Sequence, residues 1–138
     1  MLLQPKSEVK YLNESQTVRQ GYETMKLYGY TALPVIDKNG KYVGSVNEGD
    51  FLWFILEKED NIYSDVIKKC ENKKVKDIIR PKYITPVSVD VDMTTVVNRS
   101  LQQNYVPVID DSGSFIGIVT RQNIIKTLAK FPPEVING

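Results

Sequence analysis

One stretch of this chain occurs twice, and the duplication constrains the fold more than any other feature. "LPVIDKNGKYVGSVNEGDFL" (33–52) aligns without a gap with "VPVIDDSGSFIGIVTRQNII" (106–125). Pro34 meets Pro107, Asp37 meets Asp110, Gly40 meets Gly113 and Gly44 meets Gly117, all at one offset. Such a repeat marks one supersecondary unit used twice. A unit of roughly 60 residues buries little core alone. Two pseudo-equivalent halves that pack their sheets together would bury enough.

Each copy reads as helix, strand, tight turn, strand, helix. "PVID" and "YVGSV" are short and rich in β-branched residues, as strands are. "KNG" between them is a hairpin signal, and "DSG" has the same part in copy two. Asp37 and Asp110 precede those turns, where an aspartate commonly serves the backbone. Upstream, Val18, Gly21, Tyr22 and Met25 share a helical face, as do Met93, Val96, Val97 and Leu101. "FLWFILEKE" and "IIKTLAK" end the copies as helices. A short strand before each first helix, "VKYL" (9–12) and "YITPV" (83–87), makes each copy a βαββα unit of α/β (α+β) class. The expected layout is a first repeat at 1–60, a charged helical linker and lead-in at 61–80, a second repeat at 81–131 and a tail at 132–138. In the linker, Ile62, Val66 and Ile67 form an amphipathic face, and "VKDII" is a short helix stopped by Pro81.

Composition narrows the function. Hydrophobic residues make up 41% and charged residues 25%, which fits a globular protein. With 18 basic and 17 acidic residues there is no general pull toward nucleic acid or membrane. The basic cluster Lys68, Lys69, Lys73, Lys74 and Lys76 lacks interleaved aromatics and has Glu71 and Asp77 nearby, so it reads as a solvated face. The absence of histidine removes the usual neutral-pH acid/base, and with one cysteine a zinc site is disfavoured. There is no phosphate-loop signature and no G-x-S-x-G, so no enzyme is expected. No apolar run approaches a bilayer span. "MLLQPKSEVK" lacks signal-peptide order, and a lone Cys70 fits a reducing compartment. The expectation is a cytoplasmic protein.

The tandem pattern P-V-h-D-x-x-G-x-h-h-G-h-h-[T/S]-x-x-[D/N], with h apolar, resembles a pair of cystathionine-β-synthase (CBS) domains, a Bateman module. "VKDIIRPKYITPVSVD" is similar to the usual lead-in of a second such motif. The resemblance covers roughly residues 5–130. It implies two βαββα units with pseudo-two-fold symmetry and packed sheets, with two clefts between the repeats. It implies adenosyl-type ligands in those clefts, such as AMP, ADP, ATP, S-adenosylmethionine and sometimes cyclic dinucleotides. It also implies regulation of an attached domain or a separate effector protein, and pairing into a homodimer.

The repeated bend from strand to helix also has a chemistry of its own. A helix N-terminus offers free N–H groups and partial positive charge to a phosphate. Thr120 adds a hydroxyl there and Arg121 a guanidinium. Asp50, one turn into the helix of copy one, is a carboxylate that could accept from both hydroxyls of a ribose. Equally, Thr120 before Asn123 and Asn47 before Asp50 are ordinary capping patterns. The copies depart from the family pattern in complementary ways. Copy one has Asn47 where Thr or Ser is usual, and copy two has Asn123 where Asp is usual.

By resemblance, the base would lie beside Tyr30, Thr31, Ala32 and Pro34 in copy one. In copy two it would lie beside Asn104, Tyr105, Val106 and Pro107. Backbone near Lys10–Tyr11 and Ile84–Thr85 would read its edge. Tyr30 and Tyr105 are either stacking partners or core and rim residues. Gly44 and Gly117 clear space for a ligand or for another backbone. A free ribose diol favours a linear adenine nucleotide in copy one. A cyclic di-AMP receptor remains the alternative, as does a ligand-free interaction module using Trp53 and Phe54 against a second copy.

Overall fold

A computed structural model describes residues 2–56, 63–80 and 82–129. In chain order these form β1 (Gln4–Pro5), β2 (Leu12–Asn13), α1 (Val18–Tyr28), β3 (Ala32–Ile36), β4 (Tyr42–Asn47), α2 (Glu48–Leu56) and α3 (Tyr63–Asn72). Then follow β5 (Val87–Ser88), α4 (Met93–Ser100), β6 (Val106–Ile109), β7 (Phe115–Val119) and α5 (Arg121–Leu128). Short 3-10 turns occupy Lys6–Glu8 and Val75–Asp77. The C-terminal tail, the Ile62 position of the linker face and Pro81 lie outside the described residues.

The mixed α/β class is as the repeat implies, and local chemistry explains most boundaries. Thr17 starts α1 with a capping box: its Oγ1 accepts from Gln20 N at 3.0 Å, and Gln20 Oε1 accepts from Thr17 N at 2.9 Å. Gly29, at φ 70°, ends the helix in the left-handed conformation. Asp92 caps α4 by accepting from Thr95 N at 2.9 Å. The hairpins match the sequence reading. Asp37 Oδ1 accepts from the N–H groups of Asn39 and Lys41, and Asp110 Oδ1 from those of Ser112 and Ser114.

The strands before α1 and α4 are shorter and later than expected. "VKYL" contributes only Leu12, and "YITPV" only Val87, to a two-residue parallel pairing. Side-chain turns stop both strands at once. Asn13 Oδ1 accepts from Ser15 N at 3.0 Å, and Ser88 Oγ from Asp90 N at 3.2 Å. The expected face of α4 also narrows. Val96 and Ser100 are buried, while Met93 and Leu101 are exposed. Tyr22 on α1 is exposed as well, with its ring edge-on to Phe51.

The chain forms two compact units, and they do not follow the order of the repeats. One comprises residues 10–85. The other joins the residues up to Val9 with those from Pro86 onward. In the 10–85 unit, β3 pairs in parallel with β2 and antiparallel with β4. In the other, β6 pairs likewise with β5 and β7, and β1 adds a fourth strand beside β7. The same ladder irregularity falls at Val35/Ile36 and at Val108/Ile109, so the duplication extends to a bulge.

Each unit takes in the lead-in of the other repeat. Gln4 pairs with Ile118, and Arg80 forms a lone antiparallel bridge with Ser45. Ser45 and Ile118 are equivalent positions of the repeat, so Gln4 and Arg80 are equivalent too. Val75 is fully buried in the core of the 10–85 unit, with Ile78 and Ile79 packed on it. Leu2 and Leu3 pack on the core of the other unit. Phe51 and Phe54 of α2 face their own core, so Phe54 is not the edge residue expected for a sister module. Trp53 is 75% exposed.

Gly117 is where another backbone comes close, one of the two alternatives for the repeated glycine. A Cβ there would collide with the carbonyl oxygen of Gln4, and φ is +156°. At Gly44, with φ +153°, a Cβ would sit 3.5 Å from Ile79 Cδ1, an ordinary contact. Gly117→Ala is therefore expected to lower stability by about 2–3 kcal/mol, and Gly44→Ala by about 1 kcal/mol. Urea unfolding of the two variants measures the difference. Equal costs would mean that the β1 backbone does not lie across Gly117.

Candidate functional site

The 10–85 unit holds a cavity of about 680 Å³ where β4 turns into α2. This is mid-range for small-molecule sites, which run from about 300 to 1,000 Å³. Asn47 and Asp50 line it. Trp53, Lys73, Asp77 and Arg80 line it as well.

Asp50 is its buried charge, 6% exposed. Its Oδ2 accepts from Asn47 N at 2.8 Å, and Asn47 Oδ1 accepts from Asp50 N at 2.9 Å. This reciprocal pair is a capping box at the start of α2, with Asn in place of Ser or Thr. The second carboxylate oxygen, Oδ1, accepts from Arg80 Nε at 2.6 Å. The guanidinium of Arg80 also lies over the Tyr83 ring, 4.3 Å from its centroid. The nearby Tyr42 hydroxyl donates to Ile84 O at 2.6 Å and accepts from the Ser45 hydroxyl at 2.7 Å. Burial holds that phenol above its ordinary pKa.

Other residues singled out from copy one are dispersed. Tyr30 lines a second cavity, bounded by Met25 and Phe51, and stacks on Tyr28 with centroids 6.3 Å apart. Lys10 Nζ sits 4.4 Å over that Tyr28 ring. Tyr11 and Thr31 are exposed, Ala32 is half-buried and Pro34 is fully buried. Thr85, from the second lead-in, is half-buried.

In the other unit, Thr120 is the N-cap of α5, accepting from Asn123 N at 3.1 Å. Asn123 Nδ2 donates to Leu2 O at 3.3 Å. Arg121 does not reach forward to the helix N-terminus. Its Nε donates to Ser100 O at 2.6 Å and its Nη2 to Gln103 O at 3.2 Å, so it binds carbonyls at the C-terminal end of α4. Asn104 is exposed, whereas Tyr105, Val106 and Pro107 are buried.

Sequence reading missed Arg80, which was counted with the charged lead-in, and took Lys73 only as part of a solvated basic face. The visible signal was the likeness of "LLQP" to "IIRP", which aligns Gln4 with Arg80.

The CBS-domain family model matches residues 3–57 and 75–130. The chain belongs to the CBS-domain family. Each of its two matches supplies one wall of the cavity, since Asp50 falls in the first and Arg80 in the second. A chloroplastic CBS domain-containing protein of Arabidopsis thaliana, CBSX2, is 25% identical over 97% of this chain. The chain spans 64% of that relative's length. A crystal structure of CBSX2 in complex with AMP superposes with a TM-score of 0.73 at 26% identity, covering 94% of this chain and 93% of that one. A crystal structure of CbpB in complex with c-di-AMP superposes with a TM-score of 0.83 at 21% identity, covering 93% and 81%, a likeness of fold.

If Arg121 staples α4 to α5, its loss is felt without any ligand. Arg121→Ala is expected to lower stability by about 1 kcal/mol, the low end for charge-assisted bonds because the side chain is solvent-facing. Chemical denaturation of the ligand-free protein measures it. Unchanged stability would return Arg121 to the phosphate role read from sequence.

Proposed function

We propose that the protein is a regulatory module that binds an adenine nucleotide through Asp50 and signals to a separate effector protein. The observation that carries this reading is a buried carboxylate in a mononucleotide-sized cavity that also holds two cations, Arg80 and Lys73. A ribose diol matches a carboxylate acceptor, and phosphate matches a guanidinium. The AMP complex of CBSX2 supports the ligand class. Asn47 and Thr120 act as helix caps that hold the bends in shape, the Asn123 side chain binds the Leu2 carbonyl, and Thr31, Ala32 and Thr85 remain candidates for the base side. A linear nucleotide is preferred over cyclic di-AMP because the latter has its 3′ oxygen esterified and offers no diol. The reading is non-enzymatic and cytoplasmic, with population shift as the physical logic.

A homodimer is a second element, favoured by the apolar face that α2 leaves exposed. Leu52 is 57%, Trp53 75% and Leu56 65% exposed.

The test is a thermal-shift panel with AMP, ADP, ATP, S-adenosylmethionine and cyclic di-AMP at about 1 mM. A ligand at 100 times its Kd adds about 2.7 kcal/mol, several degrees for a chain of this size. The expected result is a shift with a linear adenine nucleotide that Asp50→Ala removes. No shift with any of the five would leave the ligand-free interaction module as the better reading.

A further inference from the structure

Asp50 does not stand in its cavity as a free acceptor. Asn47 N–H takes one carboxylate oxygen and Arg80 Nε the other. The acid is buried, its side chain 5% exposed, while that of Arg80 is 54% exposed. A ribose hydroxyl that donates to Oδ1 competes there with the guanidinium. We infer that Arg80 is a specificity-determining residue that exchanges partners, leaving Asp50 for the ligand's phosphate as the ribose diol takes its place. The inference rests on the adenine-nucleotide reading and adds what selects within that class.

The exchange discriminates through charge. A nucleotide brings a phosphate that can accept the released guanidinium bidentately, so the cation keeps an anionic partner throughout. A nucleoside brings the same diol but no phosphate. It strips a buried carboxylate of its counter-charge and returns nothing, a costly change. The geometry suits such a movement. The Arg80 backbone is held by its bridge to Ser45, so the side chain can swing while its root stays fixed. Lys73, on the same cavity, adds a second cation for a phosphate.

The equivalent place in the other unit provides an internal comparison. There Asn123 replaces Asp50 and Gln4 replaces Arg80, so both charges are absent together. Gln4 Nε2 donates to Glu8 O and Asn123 Nδ2 to Leu2 O, each to backbone. Acid and base behave as one device, present in one unit and missing from the other.

Isothermal titration of the full chain with AMP and with adenosine tests the exchange, in wild type, Arg80→Gln and Arg80→Lys. Wild type is expected to prefer AMP by at least about tenfold. In Arg80→Gln, AMP binding weakens while adenosine binding strengthens, because its competitor for Asp50 is gone. That rise is the diagnostic sign, since a merely structural Arg80 would weaken both. Arg80→Lys keeps a cation against Asp50 but loses bidentate phosphate pairing, so its AMP preference falls with adenosine affinity near wild type. It carries the test alone if Arg80→Gln fails to fold. Equal wild-type affinity for AMP and adenosine would overturn the exchange and leave the adenosyl site standing. So would adenosine binding that falls in Arg80→Gln, or an unchanged ratio in Arg80→Lys. A wild type that binds neither ligand overturns the nucleotide reading and this inference with it.

Discussion

In each unit a lead-in segment crosses the glycine strand, and the local architecture is arranged around that crossing. The β1 backbone runs against Gly117 so closely that a side chain at 117 has no room. Arg80 bridges Ser45, beside Gly44, in the equivalent way. Antiparallel pairing at an edge strand satisfies backbone groups that would otherwise be left open. It also delivers apolar residues to a core that the local repeat does not complete. Val75 and its neighbours fill the 10–85 core, and Leu2 and Leu3 join the other. Neither repeat, taken as a continuous stretch of sequence, contains all of its own unit.

The same crossing builds the site. Asp50 comes from the helix that follows β4, and Arg80 from a lead-in that belongs to the next repeat. The bridge to Ser45 sets the root of Arg80 beside that helix start. A carboxylate buried this deeply needs paired hydrogen bonds or a counter-charge, and here it has both. The contact of Arg80 with Asp50 joins the two CBS matches within the 10–85 unit. The residue that compensates Asp50 is also the strongest phosphate-binding side chain that lines the cavity.

Much of this was legible in the sequence because it is local. The hairpins follow from Asp and Gly at fixed offsets, and their bonds are made within four residues. The starts of α2 and α5 follow from Asn47 and Thr120, whereas Thr17 and Asp92, which cap α1 and α4, were not singled out. The family followed from two copies in register. What stayed hidden is non-local. Periodicity cannot reveal that residues 2–5 pair with β7, since a two-residue strand has no pattern. Nor can it tell that Arg121 turns back to the carbonyls of Ser100 and Gln103, because a guanidinium satisfies a carbonyl as readily as a phosphate. Tyr105 and Pro107 looked ligand-facing by resemblance and are buried, since the strand they enter is central to its sheet.

The divergence of the two copies also has a physical logic. At position 123 the amide nitrogen donates to the Leu2 carbonyl. A carboxylate there would set acceptor against acceptor, with Gln4 rather than an arginine alongside to neutralise it. Asparagine is the residue that this lead-in tolerates. At position 50 the lead-in supplies a guanidinium, and a neutral amide would leave that cation without its partner. The identity of the residue one turn into each helix is thus coupled to the lead-in that crosses beside it, not to the repeat that contains it. The two equivalent places differ at both members, and among the described residues the charged pair stands in the 10–85 unit.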